Sequence, residues 1–372
     1  MRRIGIGLIG SGFMGRSHTL AFRAAPAVLA PAAVPVLEML ADIDEPSAAQ
    51  AAQSLGYSRA TADWQALVRD PAVHLVDITT PNALHKPMAL AAIAAGKHVY
   101  CEKPLAASAA DATEMARAAQ QAGVQTFVGL NYLKNPLLAA ARAMIEGGEI
   151  GTVVSFRGIH AEDYMADPLQ PWTWRLDPAG GHGAVADLGS HILSIARHLA
   201  GDIVEVSGQI ATVVAERPVA RGSTAMRAVA VDDQARALLR FASGATGSIE
   251  ASWVATGRKM TIGFEVTGTK GTIAFDQERM NELQVFTAGQ PRGREGFRTI
   301  LTGPDHPPYG QFCPAPGHHL GYNDLKTIEV AAILDALAGG PRFAPDFAEA
   351  ARIQACVDAI VTSARERRWV SV

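Results

Sequence analysis

Residues 4–9, an apolar strand-like run, end in Gly10-Ser11-Gly12-Phe13-Met14-Gly15, and a helix-forming stretch follows at once. A G-x-G-x-x-G between a strand and a helix leaves few folds open. The first glycine permits a tight turn, the second lets backbone amides approach a pyrophosphate, and the third lets helix and strand pack closely. The helix N-terminus adds partial positive charge where phosphates would sit. The chain is expected to open with a dinucleotide-binding βαβ unit, with Gly10, Gly12, Phe13, Met14 and Gly15 against the cofactor.

The pattern that follows agrees. Candidate strands at 36–41, 75–78, 98–101 and 126–129 alternate with alanine-rich helical stretches at 14–25, 45–55, 63–69, 86–95 and 108–122, as in a parallel sheet with crossover helices. Ser108 and Asp111 have the spacing of a capping box at the start of the last helix. Beyond 129 the strands lengthen and Gly-rich turns separate them, at 153–160, 203–213, 234–241, 246–255, 261–267 and 271–275. That favours an antiparallel sheet. Helices are expected at 136–147, 186–200, 322–338 and 347–367. At 372 residues the chain exceeds what one core usually organises. The fold class is α/β: a Rossmann domain at 1–129, then an α+β domain at 130–372 with a large, mostly antiparallel open sheet, the C-terminal segment being free to pack on either domain. The Pro- and Ala-rich stretch 26–35 reads as an insertion before the second strand, and 302–321 as a long loop.

Composition excludes some partners. With 33 Lys and Arg against 36 Asp and Glu, there is no basic excess to neutralise a phosphate backbone, so nucleic acid is not expected. The first apolar run is too short and too glycine-rich for a signal sequence, and no 18 consecutive residues are apolar. A soluble cytoplasmic protein without a membrane partner follows. Cys101, Cys313 and Cys356 are odd in number and far apart, which argues for free thiols. Cys313 lies near His306, His318 and His319, but their spacing matches no zinc pattern, and no metal is expected.

The second strand ends in Ala41-Asp42-Ile43-Asp44. Asp42 stands where an acidic residue accepts hydrogen bonds from the adenosine ribose and repels a 2′-phosphate, which favours NAD over NADP. The other reading is a carboxylate that caps the next helix, a role open to Asp44.

Three further motifs follow in order: Thr80-Pro81-Asn82 with His85, then Glu102-Lys103-Pro104, then Gly183-Ala184-Val185-Ala186-Asp187-Leu188-Gly189-Ser190-His191. With the glycine motif they make the whole chain resemble the glucose-fructose oxidoreductase, inositol dehydrogenase and rhizopine-catabolism (Gfo/Idh/MocA) family. The resemblance implies that Lys103 and His191 are catalytic, that Asp187 holds the substrate, and that Glu102 meets the nicotinamide ribose. It places Thr80, Pro81, Asn82 and His85 along the cofactor, and implies a cis peptide before Pro104. The chemistry is sensible without the name. Oxidising an alcohol with NAD needs a proton acceptor beside the carbon that loses hydride, and an imidazole is the side chain ordinarily suited to that near neutrality, which makes His191 the candidate base. A Lys103 ammonium would favour alkoxide character at the reacting hydroxyl. If 186–200 is one helix, Asp187 and His191 share a face.

Sugar hydroxyls are read by planar polar groups beside aromatic faces, so 157–164, with His160, Asp163 and Tyr164, and 172–175, with Trp172 and Trp174, are candidates for the substrate, joined by Asn131 and Tyr132, with core packing the other reading of both tryptophans. The segments 172–191 and 282–304 look like those of family members that oxidise C3 of a pyranose. The expected activity is NAD-dependent oxidation of a secondary hydroxyl of a pyranose sugar, anhydrosugar or glycoside. An inositol or polyol dehydrogenase, a redox-neutral NAD-dependent glycosidase and an inactive sugar-sensing regulator stand beside it. A homodimer or homotetramer is the expected assembly.

Overall fold

A computed structural model describes residues 2–372. The chain divides into two compact units, Met1–Lys134 with Gly321–Ala351, and Asn135–Leu320 with Arg352–Val372.

In the first unit β1 (Arg2–Ile9), β2 (Ala33–Ala41), β3 (Arg59–Thr61), β4 (Leu75–Ile78), β5 (His98–Cys101) and β6 (Thr126–Val128) form one sheet in the order β3-β2-β1-β4-β5-β6. Every pair is parallel. The connecting helices are α1 (Phe13–Leu29), α2 (Glu45–Leu55), α3 (Trp64–Arg69), α4 (His85–Ala94) and α5 (Ala109–Ala122). Strand order reverses between β1 and β4, the switch point at which open α/β sheets bind ligands beyond their carboxyl ends. The expected insertion at 26–35 is instead regular structure. α1 continues through Pro26 to Leu29, and β2 already begins at Ala33. Pro35 pairs with Ile4 of β1, whereas β3 reaches only Met39–Ala41, so at Pro35 β2 is paired on one side only, where proline is tolerated. Ser108 caps α5 as expected, accepting from the Asp111 amide.

The second unit starts with α6 (Pro136–Glu146) and β7 (Val153–Ala161), then α7 (Ala184–Asp187) and α8 (Gly189–Ala200). Strands β8 (Ile203–Ala211), β9 (Glu216–Pro218), β10 (Met226–Ala228), β11 (Gln234–Phe241), β12 (Thr246–Ser252), β13 (Thr261–Gly268), β14 (Gly271–Asp276), β15 (Glu282–Thr287) and β16 (Arg298–Leu301) follow. A short α9 (Tyr309–Phe312) lies in the expected long loop. The chain then re-enters the first unit as α10 (Tyr322–Leu337), and α11 (Phe347–Glu366) leads to β17 (Val370–Ser371). The large sheet runs β16-β15-β14-β13-β7-β12-β11-β8-β17, and its one parallel pair is β7 with β12. α8 packs on one face so closely that a Cβ added at Gly158 of β7 would meet Ile192 at 2.5 Å. On β11 the other face shows Arg236, Leu238 and Arg240 to solvent, alternating with buried Ala235, Ala237 and Leu239, the period of a half-covered strand.

A division at 129 and 130 therefore differs from the one the contacts give. α10 belongs with the first sheet because Val330, Ile333, Leu334 and Leu337 share one buried cluster with Ile4, Ile6 and Phe22. α11 crosses from the first unit to the second at Ala351 and Arg352. All three cysteines are free. Among the described residues no helix is long and apolar enough to cross a membrane, and no cluster of three or more His, Cys, Asp or Glu could hold a metal ion.

Candidate functional site

In the first unit the glycines of the β1–α1 turn do three different things. Gly10 has φ +96°, a left-handed conformation that favours glycine, and its amide donates to the Ala41 carbonyl. A Cβ on Gly15 would lie 2.2 Å from the Gly10 carbonyl oxygen, whereas one on Gly12 would meet nothing within 4 Å. The space above Gly12 is thus open at a helix N-terminus, as a pyrophosphate requires. Phe13 is exposed beside this opening and packs near Tyr322 of α10, whose hydroxyl also lies 3.4 Å from the Met14 sulfur.

Asp42 ends β2 and is turned back to the same loop. Its Oδ2 accepts from the Ser11 amide at 3.0 Å and from the Ser11 hydroxyl, while Oδ1 accepts from the Ile43 amide at 2.7 Å. The capping role falls to Asp44, which accepts from Ser47 N at the start of α2, and this holds the Asp44 carboxyl below the usual range. Asp42 is left at the rim of the glycine loop, where a ribose hydroxyl could join its bonds. The glycine cradle and this carboxylate fit a dinucleotide without a 2′-phosphate.

Across the switch point, Thr79 donates to the Gly10 carbonyl at 2.7 Å and ties the turn after β4 to the glycine loop. Thr80 and Pro81 follow, and Asn82 opens a single 3-10 turn before α4. His85 is fully buried, with Nδ1 2.9 Å from the Pro104 carbonyl and Nε2 2.9 Å from the Thr80 carbonyl. Both ring nitrogens face backbone carbonyls, and the neutral imidazole donates to one of them, so His85 sits between two loops with backbone at either nitrogen. Burial holds its pKa below the usual histidine value. The Lys103–Pro104 peptide is cis, Lys103 is half-buried, and its backbone amide donates to Glu102 Oε2.

Glu102 is buried, and its Oε1 takes His18 Nε2 at 2.9 Å and Lys326 Nζ at 3.2 Å. Burial opposes its charge, but Lys326 and His18 outweigh that and hold the carboxyl far below the usual range. A Cβ on Gly129 would strike Glu102 Oε1 at 2.4 Å, so the residue after β6 leaves room for this carboxylate. Asn131 is buried in a 3-10 turn after β6, and its Nδ2 has no partner among the described residues. A buried donor left so is costly unless a ligand supplies an acceptor. Tyr132 packs against Tyr322 at 6.2 Å.

In the second unit the expected single helix at 186–200 is broken. α7 ends at Asp187, and the His191 amide bonds to the Leu188 carbonyl at 3.1 Å, an i to i+3 step. Asp187 and His191 therefore flank a break instead of sharing one straight face. Asp232 holds the start of α7, its carboxylate accepting from the Gly183 and Val185 amides at 2.8 Å each. Asp187 Oδ2 accepts from the Tyr164 hydroxyl at 2.7 Å and faces Arg175 Nε at 3.4 Å. His191 is buried, 5.5 Å between ring centroids from His160. His160 in turn lies between the Leu188 carbonyl and Glu162, 3.0 Å from each, and so braces the break.

The two tryptophans separate. Trp172 packs against the cluster of Met165, Leu188 and Trp253, with Arg227 over its ring. Trp174 stays 37% exposed with Arg175 stacked on it. Asp163 is engaged by Lys259 Nζ at 2.7 Å and the Gly257 amide at 3.0 Å, and Lys259 holds its carboxyl below the usual range. This pairing braces a turn and leaves Asp163 less free for a sugar than the sequence suggests. Sequence reading placed His160 and Tyr164 in a sugar-reading segment and missed His18, Asp77, Asp232 and Lys326. Two of them carried a signal, since Asp77 interrupts the apolar strand Leu75–Ile78 and His18 falls among buried residues of α1; buried charge demands partners.

Known proteins resemble the chain over its whole length. Residues 4–130 match the family model described as oxidoreductase family, NAD-binding Rossmann fold, and 138–274 match the GFO/IDH/MocA C-terminal domain. Levoglucosan dehydrogenase of Pseudarthrobacter phenanthrenivorans is 41% identical over 100% of this chain and 99% of its own. A solved levoglucosan dehydrogenase in complex with NADH and levoglucosan superposes with TM-score 0.96 at 41% identity, covering 100% of this chain and 99% of the other. An NAD binding oxidoreductase from Klebsiella pneumoniae gives TM-score 0.95 at 45% identity, with 100% and 99% covered.

Proposed function

Because the chain belongs to the GFO/IDH/MocA family of NAD-binding oxidoreductases, we propose that it oxidises a secondary hydroxyl, at C3, of a pyranose sugar, anhydrosugar or glycoside. The full-length likeness to levoglucosan dehydrogenase carries the substrate class. NAD, when bound, supplies the hydride acceptor. Glycine-loop amides and the α1 N-terminus hold its pyrophosphate, Asp42 the adenosine ribose, Glu102 the nicotinamide ribose, and Thr80, Pro81 and Asn82 line its path. Phe13 and Met14 border the same opening.

The remaining roles follow from donor and acceptor chemistry. Lys103 donates to the reacting hydroxyl and favours its alkoxide. His191 takes the proton that this hydroxyl loses. Asp187, oriented by Tyr164 and Arg175, accepts from a neighbouring sugar hydroxyl. Asn131, Tyr132 and Trp174 are further groups for the sugar, and Asp163 braces the turn at Gly257. The sheet face that shows Arg236, Leu238 and Arg240 to solvent supports a homodimer or homotetramer, read by light scattering. The free thiols support a cytoplasmic, reducing setting.

The test is NADH formation by purified protein with NAD, and in parallel NADP, on levoglucosan, glucose, methyl glucosides, xylose, galactose and inositols. A rate on a pyranose with NAD is expected. Turnover of inositols alone would move the substrate class to polyols, and silence throughout with NADH still bound would favour the redox-neutral glycosidase or the sensor.

A further inference from the structure

Behind Glu102 the first unit buries a charged cluster that the reaction itself does not call for. His18 of α1 stands between two carboxylates, with Nδ1 2.9 Å from Asp77 and Nε2 2.9 Å from Glu102. Lys326 of α10 bonds Glu102 Oε1 at 3.2 Å, Glu329 Oε2 at 2.8 Å and the Tyr100 hydroxyl at 3.1 Å. The Tyr100 ring stacks on His18 at 4.4 Å between centroids. His18, Asp77, Lys326 and Glu329 are each 0% exposed. Charge taken out of water this completely is expensive, so apolar residues would stabilise the interior at least as well. The cluster is therefore informative about something other than stability.

Its geometry points at one atom. Both ring nitrogens of His18 face carboxylates, so the ring bonds both only as an imidazolium. Burial works against that charge, but Asp77 outweighs it and keeps the His18 pKa above the usual histidine value. Lys326 is raised in the same manner, by Glu329 and Glu102 against burial. Two cations thus converge on Glu102 Oε1, while Oε2 takes only the adjacent Lys103 amide among the bonds described. One oxygen is anchored and the other is left to accept.

We infer that His18 and Lys326, backed by Asp77 and by Glu329 with Tyr100, are positioning residues that fix the Glu102 carboxylate so that its second oxygen meets a hydroxyl of the nicotinamide ribose. The inference rests on the reading of Glu102 as a cofactor ligand. It also gives α10 a purpose beyond packing. The helix that returns from the far end of the chain delivers the cation that sets the residue before Lys103. The positioning acts on cofactor affinity and leaves the sugar's own contacts alone.

The test is NADH affinity, read by energy transfer from protein to bound NADH, in E102Q, K326M, H18N and H18Q, each checked for a cooperative melt. A glutamine amide reproduces the position of histidine Nε2 and an asparagine amide that of Nδ1. H18Q therefore keeps the bond to Glu102 and drops the one to Asp77, and H18N does the reverse. Losing one charge-assisted bond that orients a ligand group corresponds to about tenfold in affinity. The expected result is a loss of about tenfold or more in E102Q, K326M and H18N, and of no more than about threefold in H18Q, with the sugar KM unchanged in K326M, H18N and H18Q. A purely structural cluster would lower the melting temperature in both His18 variants and leave NADH affinity at the wild-type value. Wild-type affinity in folded K326M and H18N, beside a weakened E102Q, would overturn the inference and leave the Glu102 assignment standing. Wild-type affinity in E102Q would overturn the assignment and the inference with it. If K326M does not fold, the contrast between H18N and H18Q decides alone.

Discussion

At the β1–α1 turn the groups presented to a ligand are backbone amides, bared because glycines remove the side chains. At the α7–α8 break the groups proposed to meet the substrate are side chains, Asp187 and His191, whose settings depend on Tyr164, Arg175, His160 and Asp232, contributed by other elements of the second unit. The first construction is local and steric. It tolerates no added atom at Gly15, where the nearest neighbour is backbone that cannot yield. The second is assembled from separate hydrogen bonds, so it should fail in steps. Affinity for the cofactor and turnover of the sugar are accordingly expected to be separable by mutation.

The largest effects test that separation directly. Lys103→Ala and His191→Ala are each expected to lower turnover by about 10²- to 10⁴-fold, the range of a lost proton-transfer group, with the NADH dissociation constant within about threefold of wild type. Steady-state rates beside an NADH titration decide it, and near-normal turnover in either variant removes that residue from the chemistry. Next come the glycines. Gly15→Ala should cost about 1–3 kcal/mol of stability as overpacking and lose NADH affinity with it. Gly12→Ala should melt as wild type does and still bind NADH poorly, because its methyl group would fill only the space kept for the pyrophosphate. Equal melting temperatures for the two variants would remove the steric distinction.

How far the fold and site were legible follows the same division. The parallel sheet of the first unit and the glycine loop could be read because their signals are local: alternation, a turn motif, an acid ending the second strand. The short strand β3 and the whole of α10's allegiance could not. Tyr322–Leu337 reads as a helix, but nothing within it says that Val330 and Leu334 pack on Ile4 and Phe22. Pro26 and Pro35 misled because proline is rare inside helices and paired strands, and here a helix carries one while the other lies where β2 has a single neighbour. His85 falls within a recognisable motif, and only its two carbonyl partners show that it braces loops. In the second unit the i, i+4 spacing of Asp187 and His191 suggested one helix. The break at Leu188 arises from bonds made by Asp232 and His160, and no spacing encodes those.

Tyr164→Phe offers a graded test of the second construction. It removes one hydrogen bond to the Asp187 carboxylate while keeping the ring beside Trp253. A bond to a charged group is worth about 1.5–3 kcal/mol, so kcat/KM for the sugar should fall about tenfold or somewhat more, with the KM for NAD unchanged. An unaltered kcat/KM would show that Arg175 suffices to hold Asp187.

The smallest expected effect lies back at the glycine loop, and it asks whether a side chain adds anything to a site made of backbone. Asp42 is already engaged by Ser11 and Ile43, so its removal takes away both a loop contact and a charge. Two like charges about 4 Å apart repel by roughly 4 kcal/mol at an effective dielectric of 20, and solvent screening at this half-exposed position reduces that severalfold. What survives corresponds to about tenfold in cofactor choice. Asp42→Ala should therefore bring the kcat/KM values for NAD and NADP closer by about that factor, mainly by relieving the repulsion of the 2′-phosphate. Asp42→Asn separates the two contributions, since it can keep the contact with Ser11 and loses only the charge. Both variants should shift the ratio alike if repulsion dominates. A shift in Asp42→Ala alone would assign the effect to loop geometry, and no shift in either would show that Asp42 sits too far from the ribose to read it.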